Sequence, residues 1–151
     1  MTDPHTVLCL ACGLCCDGNL FTQVPVRSDE LERVRRRGLP ILERSNGHVL
    51  PQRCAALDGC RCEIYDDRPA ACRGYRCMLY AAMGEGEVSL PEALEIVAQA
   101  HAKIAAAQDP GEGAVMQRAR QARQSGTLAS ASPAAQALMY LSRHFQRDTK
   151  P

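Results

Sequence analysis

Polar and apolar positions follow two different rhythms in the two halves of the chain. In the run SLPEALEIVAQAHAKIAAA, apolar residues recur at Leu90, Leu94, Val97 and Ile104, and Ser89 stands three residues before Glu92. A helical period behind a capping box predicts a helix that starts just after Ser89. The more polar GAVMQRARQARQ predicts a second helical stretch. In SPAAQALMYLSRHFQR, Ser132 suits the cap, Pro133 the first helical position, and Leu138, Leu141 and Phe145 fall on one face. The intervening SGTLASAS reads as a flexible linker.

The first half is patterned more briefly. FTQVPVR predicts a short edge strand, because Pro25 lacks the N–H a central strand needs. SDELERVRRRG predicts a short helix capped by Ser28, with Asp29 and Glu30 at the positive end of its dipole and Gly38 as its stop. PILERSNGHVLP places Asn46-Gly47 between two apolar runs and predicts a small hairpin. The fold expected is an α-rich α+β domain with a short β-hairpin and a C-terminal helical region.

Composition sharpens this picture. The chain has 151 residues, no Trp, two Phe and four Tyr, so large core side chains are scarce. A domain so supplied needs another source of cohesion. All nine cysteines, Cys9, Cys12, Cys15, Cys16, Cys54, Cys60, Cys62, Cys72 and Cys77, lie in the first half. The expected organisation is a metal-binding cysteine-cluster region over 1–80 with a helical region over 81–151 packing on it, one domain overall. A formal net charge of +1 asks for neither nucleic acid nor an anionic membrane.

The segment CLACGLCC spaces its thiols C-x2-C-x2-C-C, and Gly13 after the second permits a positive φ that frees backbone amides for sulfur. That is the pattern of a metal knuckle. Disulfides fit less well: the cysteine count is odd and Cys15 and Cys16 are adjacent. The chain also shows neither an export signal nor a run of the roughly 20 apolar residues that span a bilayer, and the expected location is cytoplasmic. In the second cluster, CAALDGCRCEIYDDRPAACRGYRC, Asp67 suits the cap of a short helix entered by Pro69, which presents Cys72 in its first turn. Arginines crowd this segment. Arg68 and Arg73 are the candidates to balance a negatively charged thiolate centre from just outside it.

CLACGLCC followed by CEIYDDRPAACRGYRC resembles the cysteine-cluster family of zinc- or iron-chelating domains often called YkgJ-like, to which flagellin lysine N-methylase is also similar. The resemblance runs from Cys9 to Cys77. It implies Cys9, Cys12, Cys15, Cys16, Cys54, Cys62 and Cys72 as metal ligands, with Cys77 at a position where relatives also carry cysteine, and Arg68 and Pro69 shaping the turn. Cys60 sits where the family pattern asks for none and is a possible additional ligand. Thiolates suit zinc and iron-sulfur clusters alike, and the resemblance favours a [4Fe-4S] cluster; the number of centres stays open.

Three functional classes follow: an iron-sulfur protein with a redox or accessory role, a structural zinc module, and metal storage or delivery. Gly13, Ile64, Tyr65 and Pro69 suggest a preorganised site rather than an exchangeable store. An autonomous methyltransferase is disfavoured, since no Gly-rich nucleotide loop follows a strand. His5, His48, His101 and His144 are scattered as structural or surface residues are. The C-terminal helices are the expected docking face for a protein partner or a second copy; the Arg118, Arg120 and Arg123 stretch lacks the aromatics of a nucleic-acid platform.

Overall fold

The computed structural model describes residues 2–108, 111 and 113–146. The chain forms two compact units: residues 1–12 with 76–151, and Gly13–Tyr75. It is an α-rich α+β protein.

The first unit is helical. It contains α1 (Pro4–Cys12), α4 (Met78–Gly84), α5 (Leu90–Ala106), α6 (Val115–Gln124) and α7 (Pro133–His144). The starts of α5 and α7 are those the caps predict. Ser89 Oγ accepts from the Glu92 N–H at 3.3 Å while the Glu92 carboxylate accepts from the Ser89 N–H at 2.8 Å. Ser132 Oγ likewise accepts from the Ala135 N–H at 3.1 Å. On α7, Leu138, Leu141 and the following Phe145 are buried together as the spacing predicts. On α5 the buried stripe is Ala93, Val97, Ala100 and Ile104, so Ala rather than Leu90 and Leu94 makes the inner face. α5 and α7 pack on each other. His101 Nε2 lies 2.7 Å from the Cys12 carbonyl oxygen and ties α5 to the end of α1.

The second unit carries β1 (Gln23–Val26), β2 (Leu42–Arg44) and β3 (Gly47–Pro51) in one antiparallel sheet of order β1-β3-β2. β1 is an edge strand, which is where a residue without an N–H is tolerated; Val24 and Val26 are buried and Pro25 is exposed. Arg44 pairs with Gly47, so Ser45 and Asn46 form the hairpin loop, one residue earlier than the Asn46-Gly47 signal suggests. Gly47 takes a φ of +131°, a conformation closed to the residue types around it, and opens β3.

A 3₁₀ turn at Ser28–Glu30 leads into α2 (Leu31–Arg36). Ser28 is inside this turn and does not cap it; the Glu30 carboxylate reaches back to the Arg27 N–H at 3.1 Å instead. Gly38, at φ +77°, stops the helix as predicted. The unit also holds a second hairpin, β4 (Leu57–Asp58) with β5 (Arg61–Cys62), a 3₁₀ turn at Tyr65–Asp67, and α3 (Ala70–Gly74). Its core is Val24, Val26, Val34, Leu39, Leu50, Cys54, Ala56 and Ile64, with Cys16, Cys62 and Cys72 packed against them.

Candidate metal centre

Within Gly13–Tyr75, backbone hydrogen bonds gather three chain segments around sulfur. Gly13, at φ +68°, closes a turn in which its carbonyl accepts from the Cys16 and Asp17 N–H groups at 3.0 and 3.1 Å. The Cys54 N–H donates to the Cys16 carbonyl at 2.8 Å, pinning the first cluster to the second. The β4–β5 hairpin places Leu57 opposite Cys62 and is extended by Glu63 N–H to Ala56 O at 2.8 Å, while Leu57 N–H to Cys54 O at 3.1 Å closes a turn just before its first arm. Cys62 therefore lies in the second arm of the hairpin and Cys54 in the turn that leads into its first. Cys72 enters from α3, as its third residue.

These four thiols are gathered at one core: Cys54 is part of it, and Cys16, Cys62 and Cys72 pack against it. Burial, followed by the proximity of Cys62, Cys54 and Cys72, raises the Cys16 thiol far above its ordinary value. Cys72 is pushed up to about 11, first by burial and then by Cys54 and Cys62. Cys54 and Cys62 are raised mainly by burial, each partly offset by a backbone hydrogen bond, from Ala56 and Ile64 respectively. Each sulfur thus resists deprotonation first because it is poorly solvated, and at Cys16, Cys54 and Cys72 also because the neighbouring thiols add like charge. A cation among them reverses that balance for all four at once.

Arg68 is the compensating charge already present. It lowers both Cys62 and Cys72 against the effect of burial. Its guanidinium lies 3.7 Å from the Tyr65 ring centroid, and its Nε donates to the Tyr65 carbonyl at 2.8 Å. Arg73 is exposed on the last turn of α3.

The other cysteines are distributed as follows. Cys9 and Cys12 are one turn apart on α1, so the first half of CLACGLCC is helix and its turn begins at Gly13. Cys77 begins α4 in the same helical unit, its sulfur accepting from the Tyr80 N–H at 3.3 Å; burial raises its thiol. Cys15 and Cys60 belong to Gly13–Tyr75. A Cβ built on Gly13 would lie 2.8 Å from the Cys60 carbonyl oxygen, so glycine is what lets these two backbones meet.

The expected cap of the Cys72 helix is corrected. Asp67 pairs with Arg37, and Pro69, which precedes α3, offers no side-chain acceptor. Glu30, forty positions before Ala70, takes that place: its Oε1 accepts from the Ala70 N–H at 2.7 Å. The local sequence places Glu30 only at the start of its own helix. Its reach to α3 has no local signal.

A family model described as CxxCxxCC, "Putative zinc- or iron-chelating domain", matches residues 8–105. The chain belongs to this family. As a CxxCxxCC protein it is a zinc- or iron-chelating domain that works through its cysteines. No curated protein and no solved structure matches it.

The donor chemistry fits that description. Among the described residues, no three Cys, His, Asp or Glu are already arranged to hold a metal ion. Cys16, Cys54, Cys62 and Cys72 nevertheless supply four soft sulfurs in mutual electrostatic contact, with backbone donors on two of them and a guanidinium beside two. Four thiolates match tetrahedral zinc or iron coordination. Among the described residues, no helix is long and apolar enough to cross a membrane.

Proposed function

We propose that the protein is a chelating module in which Cys16, Cys54, Cys62 and Cys72 hold one metal ion, zinc or iron, and that this centre organises Gly13–Tyr75. The observation that carries this reading is the placement of the four thiols. They lie in or against the hydrophobic core of that unit and each is coupled to at least one other. Bound there, the metal supplies cohesion that scarce bulky side chains do not.

The chain's own residues prepare the site. The hairpin presents Cys54 and Cys62, the Ala56 and Ile64 amides favour their thiolate forms, and Arg68 offsets part of the charge that four thiolates and a divalent ion leave over. Because the thiols are held protonated, metal binding at neutral pH releases protons.

The test is metal and sulfide analysis of protein purified without oxygen, for wild type and for Cys16→Ser and Cys72→Ser. Each variant is expected to lose an equivalent of metal and to melt at a lower temperature. Unchanged metal content and melting temperature in both would falsify the assignment. A second reading, an iron-sulfur centre with a redox or accessory role, draws on the nine cysteines, more than a single mononuclear site takes. Brown protein with acid-labile sulfide favours it; colourless protein with stoichiometric zinc favours the structural module.

A further inference from the structure

Glu30 is 5% exposed and is the one buried acidic side chain among the described residues. Its carboxylate is engaged on both oxygens: Oε2 accepts from the Arg27 N–H at 3.1 Å, Oε1 accepts from the Ala70 N–H at 2.7 Å, and Arg33 Nη2 lies 3.6 Å from Oε1. Burying a carboxylate is costly unless its lone pairs are satisfied, and these three partners satisfy them. The chemistry at Ala70 explains the need. A helix leaves its first N–H groups without partners, and Pro69, standing at the cap, has neither an N–H nor a side-chain acceptor. The Arg68-Pro69 turn therefore starts α3 but does not fasten it. Cys72 is two residues beyond the fastened amide.

We propose that Glu30 is a positioning residue for the metal centre, holding the first turn of the helix that carries Cys72 so that this sulfur stays with Cys16, Cys54 and Cys62. This rests on the quartet reading above. The negative charge of Glu30 works against the Cys72 thiolate, so its benefit is in geometry. The link runs from the 3₁₀ turn before α2, through one side chain, to the first turn of α3.

The experiment is zinc affinity of the full chain, measured by competition with a chromogenic chelator, for wild type, Glu30→Ala, Cys72→Ser and the double variant. Removing an outer partner of a metal ligand characteristically costs about 10- to 100-fold in affinity, and that is the drop expected for Glu30→Ala. In the Cys72→Ser background the same change is expected to cost almost nothing further, because its effect runs through that sulfur. Glu30→Gln, which keeps one acceptor oxygen, should recover most of the loss and keeps the comparison available if the alanine variant folds poorly. Val49→Ala, which truncates a buried side chain elsewhere in the same unit, controls for general loosening.

A drop in Glu30→Ala no larger than in Val49→Ala at equal melting temperature overturns the proposal. So does a drop that persists in full without Cys72. If Cys72→Ser itself binds zinc as wild type does, the quartet reading fails and this one with it.

Discussion

The two compact units meet the same shortage of bulky side chains by different means. In the helical unit, Phe145, Leu138, Leu141 and Met116 are buried, and small Ala93, Ala100, Ala135 and Ala137 are buried with them. The two longest helices there, α5 and α7, each carry their own start signal, so much of the order is local. In Gly13–Tyr75 the strands are three to five residues long in one sheet and two residues long in the other hairpin. Elements so short do not hold on their own, and the centre of that unit is shared between aliphatic side chains and sulfur. The lesson is that one chain combines order built from neighbours in sequence with order that depends on groups far apart being held together.

The sharpest way to break that contrast is to remove the metal. Chelator treatment should abolish hydrogen-exchange protection across residues 13–75 while α5 and α7 keep theirs, because structural zinc contributes about 10–16 kcal/mol of binding free energy that is also folding free energy. Exchange measured by mass spectrometry reads both units at once; equal loss in both would erase the distinction. Phe145→Ala is the converse. At 1% exposure its truncation should cost about 3–5 kcal/mol, seen in thermal unfolding, with zinc affinity unchanged.

Gly13→Ala should cost more than the roughly 1–2 kcal/mol of a left-handed alanine, since the new methyl also meets the Cys60 backbone. Both stability and zinc affinity should fall, and retention of both would show that the Gly13 turn does not matter to the site. The smallest effect belongs to Ser89→Ala, about 1 kcal/mol from the lost cap, confined to the helical unit. The Glu92 carboxyl is held below its ordinary value by its hydrogen bonds to Ser89. A depressed carboxyl contributes above its unfolded value and loses that contribution as pH falls through its folded one. The contribution of the Glu92 carboxylate should therefore fade in acid in wild type and in Ser89→Ala alike, because its main donor, the Ser89 N–H, survives the substitution; a pH series of melting curves checks this.

What the sequence disclosed divides along the same line. The caps at Ser89 and Ser132, the stop at Gly38, the edge strand interrupted by Pro25 and the positive φ of Gly13 are all local matters and are legible as such. The errors are equally instructive. Ser28 and Asp67 are good capping residues by type, yet the acceptor used at both places is Glu30, which serves the amide of Arg27 beside it and that of Ala70 across the unit. No short window of sequence contains that second bond. The cysteine spacing identified the chemistry and the family. It did not indicate that Cys9 and Cys12 lie on a helix while Cys16 pairs its backbone with Cys54.

The meeting of Gly13 with Cys60 carries a consequence for how this sequence can change over time. The atoms of Cys60 that approach Gly13 most closely are its carbonyl oxygen, Cα and carbonyl carbon, all backbone. Every amino acid brings those atoms, so the contact places no demand on which residue stands at 60. Position 13, by contrast, admits only the residue with no side chain. One side of the contact is open to drift and the other is fixed.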